Sequence, residues 1–167
     1  MALAADITST KLPSTGHSLP ASLTTQWQTL ITDGGPAALD AATITNPETQ
    51  ITAATSARFV RLGAGSHILL RLRYDDGLTS ITAPVVKVFG RTGSQPWQLL
   101  KNRAGNLSIA LTPAATDTED GTYKYTTADF DLHAFDCLGC DEILVGIETA
   151  LAGTGTTSNS AIEIKVI

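Results

Sequence analysis

The chain ends in Ala161-Ile162-Glu163-Ile164-Lys165-Val166-Ile167, and this stretch indicates the fold class. Its two inner isoleucines and Val166 fall on one face, and Glu163 and Lys165 fall on the other. Alternation with a period of two is typical of a β-strand that has one buried face. Similar short runs, rich in threonine and bounded by Gly, Pro, Asn and Asp, fill the chain before it. We therefore expect an all-β protein.

Eleven further runs have the character of strands, and the Asp76-Gly77 dipeptide between two of them is a strong hairpin signal. In chain order they are Gln26–Thr32, Ala42–Thr45, Thr49–Ala53, Arg58–Leu62, Ser66–Tyr74, Thr82–Arg91, Trp97–Lys101, Leu107–Thr112, Thr122–Thr127, Phe130–Phe135 and Ile143–Thr149. The only plausible helical turn is Pro36–Ala42. Many short strands at regular spacing predict a β-sandwich or barrel. We favour a jelly roll, because 167 residues exceed an immunoglobulin domain.

The chain divides into two parts of different composition. Residues 1–25 are a polar stretch of Ala, Ser, Thr and Pro with almost no periodicity, which predicts an extended N-terminal arm. Residues 26–167 carry the strand pattern and are expected to form one sandwich domain. No apolar run approaches the roughly 20 residues of a membrane span, and the first residues lack the basic start of a signal peptide. We expect no membrane partner and assembly in a cytoplasm.

The net charge argues against nucleic acid as the main partner, and the charged residues are unevenly distributed along the chain. A net charge of −5 makes nucleic acid an improbable main partner. Between Arg58 and Arg103 there are eight cations against two carboxylates, whereas between Asp117 and Glu148 nine carboxylates face only Lys124. One interpretation is that strands of the two segments pair, so that their charges meet across a sheet. The other is a dipolar subunit that joins its neighbours head to tail in a ring.

Cys137 and Cys140 form a single C-x-x-C motif, with His133 four residues before it. Two cysteines and one histidine do not complete the four ligands of a zinc site, although copies around a symmetry axis could. Redox activity would need a helix N-terminus or nearby cations to lower the thiol pKa, and this segment is acidic and strand-like. We interpret the cysteines as structural, and metal binding and redox activity remain weaker alternatives. No cofactor is expected.

Other candidate sites are weaker still. The acidic loop Thr116–Gly121 could contribute ligands to calcium but lacks the spacing of an EF-hand loop, which favours a solvated hairpin loop. Asp129 and Asp131 would share one face of a strand, as a glycosidase pair could, but so would any exposed carboxylates. The Ser66-His67 and His17-Ser18 dipeptides would point to opposite faces of a strand and make no catalytic dyad. We expect a protein without enzymatic activity.

Aromatic side chains are few, at 5% of the chain, yet they could form a stacking platform for sugars. The candidates are Trp27, Tyr74, Trp97, Tyr123 and Tyr125, of which the last two share a face of one strand. Packing in the core or in an interface is the simpler interpretation for most of them.

Residues 129–167 resemble the small structural proteins of tailed bacteriophage virions. In the segment Phe130–Ile147, an acidic turn leads into a strand, which is followed by the Gly/Thr-rich loop 153–157 and the terminal strand. The Thr/Ala-rich body and the polar arm are also similar to jelly-roll capsid decoration, or cement, proteins. The resemblance implies a protein on the capsid surface that binds over the joints between major capsid subunits, often as a trimer. It assigns no individual binding residue.

The sequence thus predicts a non-enzymatic virion structural protein, first of all a capsid decoration protein that contacts the major capsid protein and self-associates. A phage tail or neck component is the nearest variant. A carbohydrate-binding module is the alternative from another class, and a hydrolase is a distant third.

Overall fold

The computed structural model describes residues 26–32, 56–60, 67–155 and 159–167. Within these residues the chain forms short strands and one helix of a single turn. In chain order they are β1 (Gln28–Thr32), β2 (Ser56–Val60), β3 (His67–Asp75), β4 (Thr79–Thr82), β5 (Val85–Arg91), β6 (Gln98–Leu99), β7 (Ile109–Ala110), β8 (Thr118–Glu119), β9 (Tyr123–Tyr125), α1 (Phe130–His133), β10 (Ala134–Asp136), β11 (Glu142–Thr149), β12 (Ala152–Thr154) and β13 (Ala161–Val166).

The strands form two main antiparallel sheets. In sheet A the order is β1-β13-β3-β9-β8. Two short strands share one edge of β3: β9 pairs with its C-terminal end, and β10 pairs with its N-terminal end. In sheet B the order is β2-β11-β5-β6, and β7 also pairs with β5. A separate two-stranded sheet joins β4 to β12.

The pairing of these strands is nested. β1 pairs with β13, β2 with β11, β3 with β10, and β5 with β6. This is the pairing of one long hairpin of eight strands that has been rolled into two facing sheets, the arrangement of a jelly roll. The predicted all-β sandwich is confirmed. The nested pairing agrees with a jelly roll, which stays a prediction.

Alternation along the central strands builds the core between the sheets. In β3, Ile68, Leu70 and Leu72 point inward and are fully buried. The inward side chains of β13, Ile162 and Ile164, are equally buried. Sheet B contributes mainly valine and isoleucine to the same cluster. Because each strand presents every second residue to the core, the intervening side chains of sheet A form its outer surface.

The predicted hairpin around Gly77 is wrong, although the turn exists. The N–H of Leu78 donates to the carbonyl of Asp75 at 3.0 Å, yet β3 and β4 do not pair with each other. Both edges of β3 are occupied, by β13 on one side and by β9 and β10 on the other. The next strand therefore leaves the sheet and pairs with β12. The predicted strand Thr82–Arg91 begins only at Val85, just after Pro84, which has no N–H to donate to a ladder.

The predicted strand Phe130–Phe135 is half wrong. Its first four residues form α1, and only its end belongs to the strand β10. The cause is Asp129, whose carboxylate accepts the N–H groups of Asp131 at 2.7 Å and Leu132 at 3.1 Å and so caps a helical turn. Asp129 and Asp131 therefore do not lie side by side on a strand.

Several predicted features lie outside the described residues. They are the arm 1–25, the runs Ala42–Thr45 and Thr49–Ala53, the turn Pro36–Ala42 and the dipeptide His17-Ser18. Among the residues that are described, no helix has the length and apolar character needed to cross a bilayer.

Candidate functional site

The outer face of sheet A gathers arginines and aromatic rings from four strands or their ends. Arg71 and Arg73 alternate with the core residues of β3 and therefore point outward. The antiparallel register sets Glu163 of β13 opposite Arg71 and sets Tyr125 of β9 opposite Arg73. Trp27 lies just before β1, at the far side of β13. Side chains far apart in the sequence thus meet on one surface.

A glutamate at the centre of this surface pairs with both arginines. Nε and Nη2 of Arg71 donate to Oε2 of Glu163 at 2.8 and 2.7 Å, and Nη1 of Arg73 lies 3.5 Å from Oε1. The Glu163 side chain is only 8% exposed, whereas the two arginine side chains are 20% and 22% exposed. The sequence placed Glu163 on the outer face correctly, but the arginines cover it there. A buried carboxylate held by two guanidinium groups keeps its charge compensated.

Aromatic rings flank the two guanidinium groups. The central carbon of the Arg71 guanidinium lies 4.2 Å from the Trp27 ring centroid and 4.4 Å from that of Tyr125. The guanidinium of Arg73 lies 4.8 Å from the Tyr123 ring. Each contact is within the range of a favourable cation–π interaction.

We call this surface the Arg71 face. It consists of Trp27, Arg71, Arg73, Tyr123, Tyr125, Glu163 and Lys165, whose ammonium group lies 4.9 Å from the Trp27 ring. The face has three cations and one carboxylate, that of Glu163, which pairs with the two arginines. It is therefore positive within a protein of net charge −5. Its flat rings and guanidinium groups are pre-positioned on a sheet, which limits the entropy lost when a partner binds.

The aromatic platform predicted from the sequence is assembled only in part. Trp27, Tyr123 and Tyr125 come together, but Tyr74 and Trp97 are buried. The hydroxyl of Tyr74 donates to Asp117 at 2.8 Å, and burial together with this contact raises the pKa of Tyr74. The rings that do gather are stacked with guanidinium groups.

Two carboxylates of the acidic loop Thr116–Gly121, those of Asp117 and Asp120, are used to close the loop. Asp117 accepts the N–H groups of Ala114 and Thr127 at 3.0 Å each, besides the Tyr74 hydroxyl. Asp120 accepts the Tyr125 hydroxyl at 2.7 Å and the Tyr123 N–H at 2.8 Å. These contacts, led by that of Tyr125, lower the pKa of the Asp120 carboxyl. This bonding is that of a structural loop, and it connects the loop to the Arg71 face through Tyr125.

The predicted metal candidates lie in different environments. Cys137 is fully buried in the main core, and Cys140 is half-buried against Gly90. His133 is buried at the end of α1, where its Nδ1 accepts the Asp129 N–H at 3.1 Å. Within the described part of the chain, no three His, Cys, Asp or Glu side chains form a group that could hold a metal ion. A site built from several copies of the chain stays a prediction.

The two carboxylates of the predicted pair Asp129 and Asp131 make different contacts. Asp129 caps α1, while Asp131 lies 3.4 Å from the guanidinium of Arg103. His67 lies beside Arg103 and the ring of Phe130, whereas Ser66 lies outside the described residues.

Two cations of the basic segment pair with carboxylates of the acidic segment across sheet B. Lys87 of β5 pairs with Glu148 of β11 at 2.6 Å, and Arg91 pairs with Glu142 on the same two strands. These are cations of the basic segment and carboxylates of the acidic one, so the interpretation that their charges meet across a sheet is confirmed for these two pairs.

Sequence reasoning missed Arg71, Arg73 and Glu163 as members of a site. The signal available was that both arginines lie on the outer face of a strand and that Tyr123 and Tyr125 share a face. No local pattern in the sequence shows which strands are neighbours. No protein-family model, no curated protein and no solved structure matches this chain, so the interpretation of its function rests on its own residues.

Proposed function

We propose that this protein is a non-enzymatic structural protein of a virus particle. Specifically, it is a capsid decoration protein that binds over the joints between major capsid subunits and self-associates as a trimer. The observation that carries the proposal is the Arg71 face, a positive, aromatic-rich surface on one sheet of a β-sandwich. The resemblance of residues 129–167 to tailed-phage virion proteins supports the choice of particle.

The composition of the Arg71 face is that of a protein-binding surface. Trp, Tyr and Arg are the residues most enriched among those that dominate the energy of protein interfaces. Here they are clustered, and their rotamers are restrained by mutual stacking and by Glu163. An anchor that is already ordered loses little conformational entropy on binding, which suits a protein that makes many identical contacts on a shell.

The carbohydrate-binding alternative has less support. A sugar platform requires aromatic ring faces that are open to the ligand, and Arg71 already lies over one face of both Trp27 and Tyr125. Arg73 does the same to Tyr123. A glycan screen with the purified protein would detect a sugar ligand, and binding that depends on these rings would overturn the proposal.

The direct test is cosedimentation of the full chain with empty capsids of the virus that encodes it. Arg71→Ala should weaken binding at least tenfold, which corresponds to about 1.4 kcal/mol, whereas Lys87→Ala should leave it unchanged. Lys87 is a matched control, because its side chain is 22% exposed, lies on the other sheet and is also ion-paired. Thermal unfolding of both variants checks that the fold is retained. Equal binding by both variants, or no binding by the full chain, would contradict the proposal.

Self-association is measured separately by light scattering, with and without residues 1–25. We expect a trimer that weakens when the arm is removed. A monomer that is indifferent to the deletion would remove the trimer from the proposal.

A further inference from the structure

His133 and Asp129 are locked to each other by reciprocal hydrogen bonds across the single turn of α1. The N–H of His133 donates to the carbonyl of Asp129 at 2.8 Å, and Nδ1 of His133 accepts the N–H of Asp129 at 3.1 Å. The second bond resembles a capping box in which an imidazole takes the place of the usual carboxylate. Because a backbone N–H can only donate, Nδ1 must carry a lone pair and the ring must be neutral.

The surroundings of the ring also favour its neutral form. His133 is buried, and burial lowers its pKa even though the carboxylates of Asp129 and Asp117 and the backbone of Thr127 act in the opposite direction. Among the described residues, the charged groups that act on the ring are these two carboxylates, one from its own turn and one from the acidic loop. On the remaining side lies a cleft of about 160 Å³, whose other lining residues carry no charge: Asn102, Asn106, Ser108, Ile109, Ala110 and Leu132.

We propose that the turn Asp129–His133 is an acid-operated latch, in which protonation of His133 breaks its hydrogen bond to Asp129 and releases the turn. A protonated Nδ1 would face the N–H of Asp129 donor to donor, so the closed turn would lose this bond and bury a charge as well. In the open turn the ring is exposed to water, so it can be protonated without losing a hydrogen bond inside the turn and without burying a charge. Acid therefore favours the open form.

The direction and size of the effect follow from linkage. The closed turn lowers the pKa of His133, so it is stabilised relative to the open turn as long as the ring is neutral in both forms. This stabilisation is fully present above the ordinary histidine pKa of about 6.5 and is lost as the pH falls below that value. The population of the open form should rise by up to about tenfold per pH unit until the closed form is protonated too. Asp129 is not the titrating group, because the N–H groups of Leu132 and Asp131 lower the pKa of its carboxyl.

The opening should be local. Beyond the latch, the N–H of Thr126 donates to the carbonyl of Leu72 at 2.8 Å, and β10 pairs with β3. Phe130 and Leu132, on the released turn, are already exposed, and Leu107 is another exposed apolar side chain. The turn also keeps its contacts to the preceding loop, in which Asn102 Nδ2 donates to the Leu132 carbonyl and the Ala104 N–H donates to the Asp131 carbonyl. Acidification should therefore open the start of the turn, at the Asp129 amide, on an otherwise intact sandwich.

Nuclear magnetic resonance on the full chain tests the proposal. Ring resonances report the protonation of His133, and amide hydrogen exchange, corrected for the intrinsic effect of pH, reports the opening at Asp129. Between about pH 7.5 and about pH 5, protection of the Asp129 amide should fall, by no more than about tenfold per pH unit. The amide of Leu100, which donates to Val88 at 2.8 Å on the other sheet, should keep its protection. Protonation of His133 without loss of protection at Asp129 would overturn the proposal.

Two variants separate the latch from other acidic effects. His133→Gln supplies an acceptor that does not titrate, so protection at Asp129 should no longer depend on pH in this range. His133→Phe has no acceptor and should leave the amide weakly protected at every pH. His67→Gln is the control and should behave like the unmodified chain. A pH dependence that persists in His133→Gln would assign the effect to another group, and if that variant does not fold, the titration of the unmodified chain still decides.

Discussion

Each sheet has an arginine that pairs with a glutamate and stacks on an aromatic ring. The two arrangements differ in how much of the charged side chains is exposed to solvent. On sheet B, Arg91 lies 4.5 Å from the Trp97 ring centroid and pairs with Glu142, and these two charged side chains are 13% and 1% exposed. On sheet A, the Arg71 side chain is 20% exposed, although the Glu163 side chain that it covers is only 8% exposed. The same arrangement can therefore stabilise the fold while shielded from solvent on sheet B and form part of an accessible surface on sheet A.

The neighbours of each pair explain the difference. Trp97 belongs to a small apolar cluster with Phe89 and Leu144, and the guanidinium of Arg91 lies over its ring. On sheet A the neighbours are half-buried rings and a further pair of cations, which leave the guanidinium groups within reach of water. Because the strength of an ion pair depends on the solvent around it, equivalent substitutions on the two sheets should have unequal effects.

The largest effect is expected for Glu142→Gln. It removes the carboxylate charge that pairs with the buried Arg91 guanidinium and should lower the free energy of unfolding by about 3 kcal/mol. Urea unfolding, analysed at a constant m-value, measures the change. Glu148→Gln is the control, because the Lys87–Glu148 pair is more exposed and should contribute no more than about 1 kcal/mol. Equal losses in the two variants would show that sheet B does not isolate its ion pair from solvent.

The next effect is expected at Gly90, the neighbour of Arg91 on β5. A Cβ atom at this position would lie 2.5 Å from Sγ of Cys140 and 3.1 Å from Cδ1 of Leu100. Gly90→Ala should therefore destabilise the protein by about 1–3 kcal/mol through overpacking. Cys140→Ala removes the sulfur atom, so the double variant should recover part of the loss in a double-mutant cycle. Additive losses would mean that the sulfur is not what excludes a side chain at this position.

Much of the fold was predictable because it depends on local patterns. The alternation in residues 161–167 and in Ser66–Tyr74 correctly identified the two central strands of sheet A and their inward faces. The helical turn after Asp129 was missed because the same residues also alternate, and only the capping contacts of Asp129 decide between the two structures. The partner of β4 was missed because it depends on which edges of β3 are already occupied.

The site was less predictable, because it depends on contacts between distant segments. Arg71 and Glu163 are 92 positions apart, and no local pattern shows that β3 and β13 are adjacent. The nested pairing of a jelly roll would have predicted that the first and last strands pair, and hence that Trp27 approaches the last strand. It would not have predicted that the rings stack on guanidinium groups.

Glu163→Gln is the matched substitution on the open sheet and should cost less than Glu142→Gln. The two arginines would lose a counter-charge, but both are partly hydrated and stacked on rings, so we expect a loss of about 1–2 kcal/mol. Urea unfolding of the two variants under one set of conditions makes the comparison. A loss at Glu163 as large as that at Glu142 would mean that the Arg71 face is as closed as sheet B, which would also weaken its role as a binding surface.

The smallest effect on stability is expected for Arg71→Lys. Lysine keeps the charge near Glu163 but lacks the planar guanidinium that stacks between Trp27 and Tyr125, so the loss should stay below about 1 kcal/mol. Binding to capsids should fall more than stability does, because a partner would meet rings that are no longer held in place. Arg103→Lys is the control, since Arg103 also stacks on a ring, that of Phe130, outside the Arg71 face. If Arg71→Lys and Arg103→Lys weaken binding equally, the stack on sheet A is not the feature that the partner recognises.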